Sequence, residues 1–97
     1  MSVKSLKLVT GEELVVEIIA EEGELLTFKN PVACVLQRSE KGPVLGFMPW
    51  MQSSNGPFTI HHSNIMLMAE VAEEVKNGYN KIYGAGIVVP PQQLITG

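Results

Sequence analysis

The residues best equipped for chemistry in this chain are the adjacent histidines His61 and His62, the Ser63-Asn64 pair that follows them, and the single cysteine, Cys34. Imidazole titrates near neutrality and is the commonest protein ligand for metals, so the histidine pair is weighed first as a metal site. Its spacing argues against one. On an extended backbone, neighbouring side chains point to opposite faces, so one chain offers one imidazole to any site. There is no second cysteine, no HExxH pattern and no Asp to complete a ligand set. Only an assembly gathering histidines from several chains on a symmetry axis would change that count.

Nucleophilic catalysis needs Ser or Cys beside a base and an orienting acid. Ser53, Ser54 and Ser63 lie in turn-forming stretches with no GxSxG-type elbow, where serine serves as a turn or cap residue. Cys34 sits in the apolar run Pro31-Val-Ala-Cys-Val-Leu36 and has no internal disulfide partner, which reads as a buried thiol in a reducing compartment. No GxxxxGK[ST] or GxGxxG loop is present to cradle phosphate. The expectation is a protein that binds and assembles without catalysing, and without a cofactor or a metal.

Composition narrows the partners. Seven Lys/Arg stand against ten acids, all of them Glu, for a formal net charge of −3. Such a field does not attract phosphate, so nucleic-acid binding needs a local site working against the global sign. Hydrophobic residues make up 45% of the 97, against only 18% charged, which predicts apolar surface buried between subunits. Met48, Met51, Met66 and Met68, with Phe47, Trp50 and Phe58, form a soft, aromatic set suited to a core and an adaptable interface. Base stacking on these aromatics is the minor reading, because no Lys or Arg occurs between Gly42 and Asn64. The N-terminal stretch has no signal peptide or membrane span, so a cytoplasmic location is expected.

The elements that must position these residues follow from periodicity. Val3 to Val9 alternates, with Leu6 and Leu8 on one face, and Thr10-Gly11 turns the chain into Glu12 to Ala20, with Leu14, Val16 and Ile18 on one face. A long strand from Glu24 through a bend at Asn30-Pro31 to Gln37 comes next, then a strand from Pro43 to Met51. Phe58-Thr-Ile60 and Ile65 to Ala69 are short strand pieces around the corner at His61-Asn64. Met68, Val71, Ala72, Val75, Tyr79 and Ile82 fall at helical spacing, which predicts an amphipathic helix over about 68–83 packed on the sheet. Gly84 and Gly86 stop it, leaving the proline-broken tail 84–97. The expected fold is a single mostly-β domain over 1–97, with a small, strongly bent barrel over about 3–70.

Two runs resemble the motifs of Sm-like (LSm) proteins. Leu6-Lys-Leu-Val-Thr-Gly-Glu-Glu-Leu-Val-Val-Glu-Ile with Leu25-Leu-Thr-Phe-Lys-Asn is similar to the first, and Phe58-Thr-Ile-His-His-Ser-Asn-Ile-Met-Leu to the second. Thr10-Gly11-Glu12, Asn30-Pro31, Phe47-x-Pro49-Trp50 and a helix ending near Tyr79 are similar to small Sm-like proteins of phages of marine cyanobacteria.

The resemblance implies a five-strand SH3-like barrel whose subunits join through edge strands into a homo-oligomeric ring, with single-stranded RNA at its central pore. It places His61, His62, Ser63 and Asn64 at the pore, and the subunit interface at Phe58, Ile60, Ile65, Met66, Leu67 and Met68. Two departures accompany it: the helix is C-terminal where the family usually begins with one, and His61 and His62 occupy the positions of the family's Arg-Gly pair. The Glu-rich loop Ala20-Glu-Glu-Gly-Glu24 stands where the first motif supplies Asp and Asn. The alternative expectation keeps the ring as a scaffold or adaptor that binds a phage or host protein, in the host cytoplasm.

Overall fold

The computed structural model describes residues 2–83; the tail assigned to 84–97 lies outside them. Six strands form one antiparallel sheet: β1 (Ser2–Leu8), β2 (Glu13–Glu22), β3 (Leu25–Ser39), β4 (Gly42–Pro49), β5 (Phe58–His61) and β6 (Ile65–Glu70). A 3-10 turn, His62–Asn64, joins β5 to β6, and the helix α1 (Glu73–Tyr83) follows. The order across the sheet is β4-β3-β2-β1-β6, with β5 set against β3.

The alternation in β1 and β2 has the expected result. Leu6, Leu8, Leu14 and Val16 are buried on one face with Leu26 and Phe28 of β3, and Ile18 packs against them. The opposite face is buried as well. Val15 and Val32 meet Tyr79 of α1, with Val71, Val75 and Tyr83 flanking it. Val75, Tyr79 and Tyr83 are spaced by four, so one helical stripe covers the outer face of β2 and β3, and Val71, just before the helix, extends it.

Asn30-Pro31 bends β3 without ending it. Asn30 adopts a left-handed backbone, φ 52°, which Asn tolerates better than other side-chain-bearing residues. The bend divides the strand's work: β5 pairs with Leu25 to Phe28, and β4 pairs with Val32 to Ser39. Gln52 to Pro57 makes the excursion between those two partners, with Pro49 and Pro57 at its limits and no N–H on either to extend a ladder.

This differs from the expected five-strand barrel in two respects. There are six strands, because the excursion splits the path facing β3 into β4 and β5. The sheet is also open: β5 pairs with β3 and β6 with β1, leaving β4 and β6 at the ends of the path. The helix begins at Glu73 and not at Met68, since β6 runs to Glu70 with Met68 opposite Leu6 and Ala69 opposite Ser5. Lys4 and Glu70 form an ion pair that fastens the last β6 residue to β1.

Candidate functional site: the His61–Asn64 corner

The corner is held by backbone. His61 lies opposite Leu25 in the β3–β5 ladder, and its extended φ −79°, ψ 142° leads directly into the 3-10 turn. The His62 N–H donates to the Glu24 carbonyl at 2.8 Å, and the Val9 N–H donates to the Asn64 carbonyl at 2.9 Å. The turn is therefore tied to the β2–β3 turn on one side and to the end of β1 on the other. The Ile65 N–H closes it onto the His62 carbonyl, and Ile65 turns its side chain toward the core.

His61, Ser63 and Asn64 are exposed and His62 is half-buried. The His62 Nε2 stands 3.5 Å from the Glu21 carboxylate, an ion pair whenever the imidazole is protonated. Glu21, Glu22 and Glu24 are all exposed beside it. The corner thus offers an imidazole face, a hydroxyl and a carboxamide for stacking and hydrogen bonding, against a background of carboxylates and without Lys or Arg in the turn.

The residues expected at a subunit interface divide into two groups. Phe58, Ile60 and Ile65 are half-buried and pack on the core. Phe58 sits 6.0 Å from Phe28 and 6.1 Å from Trp50, centroid to centroid. Met66, Leu67 and Met68 are exposed, by 60%, 50% and 36%. Sequence reasoning missed two parts of the site: Glu21, brought to His62 by a contact 41 positions away in sequence, and the exposed Val44 and Leu45 of β4, beside the expected Met48. The consecutive apolar pair Val44-Leu45, which puts one hydrophobe on each face of its strand, was a readable signal for the second.

The other candidates are placed elsewhere. Cys34 is half-buried on the outer face of β3, with its thiol pushed up by burial and by the Glu13 carboxylate, as befits an unreactive thiol. Ser54 Oγ accepts from the Gly56 N–H at 3.1 Å, a turn-stabilising role. Among the described residues no three metal-binding side chains come together, and no helix is long and apolar enough to cross a membrane.

The family profile of the Sm-like domain matches residues 5–80. No curated protein matches the chain.

Proposed function

The chain belongs to the Sm-like domain family, and on that premise we propose that it is one subunit of a homo-oligomeric ring that takes single-stranded RNA at its His61–Asn64 corners. The observation that carries the reading is the pair of sheet ends. Among the described residues β4 and β6 each have one edge without a partner strand, and both carry exposed apolar residues: Val44, Leu45 and Met48 on one, Met66, Leu67 and Met68 on the other. An open, apolar strand edge is a template for another chain. Two different edges on one subunit favour head-to-tail addition, which closes into a ring when the rotation allows. In that ring β4 of one subunit continues into β6 of the next, and the corner preceding β6 turns toward the axis. The ring is a binding protein and not an enzyme; on the resemblance of its motifs it is phage-encoded and works in the cytoplasm of a cyanobacterial host.

His61 supplies a stacking face there, and Ser63 and Asn64 supply hydrogen bonds to base edges, the groups that single-stranded RNA recognition uses. A second reading, a ring that binds protein, is favoured by Glu21, Glu22 and Glu24, which repel phosphate at the same corner.

Light scattering coupled to size exclusion tests the ring: a multiple of the subunit mass is expected, reduced by Leu67→Lys, and a monomer at every concentration overturns it. Fluorescence anisotropy with oligo(U) and oligo(A) at low salt tests the ligand. Binding that His61→Ala weakens supports RNA; its absence at tens of micromolar subunit leaves the protein-binding ring.

A further inference from the structure

Beyond Ala33, β3 leaves the body of the sheet. β2 pairs with it only from Leu25 to Ala33, whereas β4 follows it from Val32 to Ser39. Among the described residues the segment from Cys34 through the turn at Ser39–Gly42 and back to Leu45 is therefore a two-stranded ribbon with both edges open. The Ser39 hydroxyl donates to the Gly42 carbonyl at 2.6 Å and closes its tip. Two strands alone are marginally stable in water and gain from a third element.

The ribbon lacks a cover. Leu36 and Leu45 are directly opposite each other and share a face, yet they are 75% and 44% exposed. Arg38 and Lys41 stand beside them at the tip, and neither belongs to an ion pair among the described residues. The other end of β3 is its complement. The β2–β3 turn exposes Leu25, which lies opposite Glu22, with Glu24 next to it in the turn. β3 thus links an apolar pair with a cationic rim, at one end, to an exposed leucine with an anionic rim at the other.

We propose that the β3–β4 ribbon of one copy of this chain seats on the β2–β3 turn of the next copy, with Arg38 and Lys41 facing Glu22 and Glu24. The occupant is a second copy because both halves of the match lie on the same chain, at opposite ends of one strand, and so meet head to tail. Such a contact rests on the ring reading and adds to it a second joint, separate from the pairing of the β4 and β6 edges. It covers Leu36, which this pairing leaves open, and its charges fix the direction in which subunits add.

Charge reversal in the full chain tests it. Arg38→Glu with Lys41→Glu, Glu22→Lys with Glu24→Lys, and all four together are compared with the wild type by sedimentation velocity at low and high salt. Circular dichroism checks the fold of each. Either pair alone is expected to weaken assembly about tenfold at low salt, less at high salt, because exposed pairs are modest and screened. The fourfold variant returns to within about threefold of wild type, since the attraction is restored with its signs exchanged. A wild-type ring that either pair leaves unchanged, or that the fourfold variant does not restore, overturns this contact while the ring stands. A monomeric wild type overturns the ring reading and the contact with it.

Discussion

The phenol of Tyr79 donates a 2.6 Å hydrogen bond to the backbone carbonyl of Asn30, the residue whose left-handed backbone bends β3. The helix is thereby latched to the one point where the long strand changes partners. Asn30 is also held through its side chain, which donates to the Glu17 carboxylate at 3.1 Å.

Tyr79→Phe keeps the ring in the core and removes only the latch. It leaves a partly buried carbonyl without its partner, so a loss of about 1–2 kcal/mol is expected in urea unfolding. Tyr79→Ala removes a fully buried ring as well and should cost about 3–5 kcal/mol. Equal effects of the two substitutions would mean that the hydroxyl, and not the ring, does most of the holding.

Alkaline pH should weaken the fold. Burial, followed by the Glu17 carboxylate, pushes the phenols of Tyr79 and Tyr83 up, and burial followed by Glu13 does the same to the Cys34 thiol. A group whose folded pKa is raised contributes stability that is complete below its unfolded pKa and is lost as pH climbs through the folded one. The urea midpoint should therefore hold up to about pH 8.5, where a free Cys thiol begins to ionise, and then fall, with the steeper part above about pH 10 from the tyrosines. Tyr79→Phe should flatten that alkaline decline, and an unchanged slope in the variant would assign it to other groups.

Much of the fold was legible in the sequence because the alternation of Leu6 and Leu8, and of Leu14, Val16 and Ile18, admits one inward face. Asn30-Pro31 was legible as a bend within a continuing strand. The start of the helix was not, because Ile65-Met-Leu-Met-Ala is a short apolar run that suits a strand or a helix, and only its pairing with β1 decides. The packing stripe was legible at Val71, Val75 and Tyr79, and its last member is Tyr83, one position past the expected Ile82. At the site, His61 to Asn64 could be placed on a corner from sequence. That Glu21 stands against His62 depends on a contact between distant turns, which no local pattern carries.

Gly78 and Phe47 should be coupled. A Cβ at Gly78 would lie 3.0 Å from the Phe47 ring, so the glycine lets α1 approach β4 closely. Alanine gains up to about 1 kcal/mol in helix propensity over glycine. In Gly78→Ala that gain is offset by crowding against the ring, and little net change is expected. In a Phe47→Leu background the same substitution should stabilise by about 0.5–1 kcal/mol, because the crowded atom is gone. A double-mutant cycle reads the difference directly, and a coupling near zero would place the ring clear of the helix.

Glu21 decides how far the corner tolerates phosphate. Its carboxylate faces the His62 Nε2 at 3.5 Å, so a protonated His62 finds its counter-charge within the subunit and has little left for a ligand. Glu21→Gln removes that competitor and one of the negative charges at the rim. If RNA is the ligand, oligo(U) should bind the variant roughly three- to tenfold more tightly at low salt. The gain should shrink in Glu21→Gln with His62→Ala, because then only the lost negative charge, and no freed cation, favours the phosphate. A variant that binds oligo(U) no better than wild type at any pH would remove His62 from the RNA contact. With a protein ligand, loss of the carboxylate should instead weaken capture of a basic partner, so the sign of the Glu21→Gln effect separates the two readings of the ring.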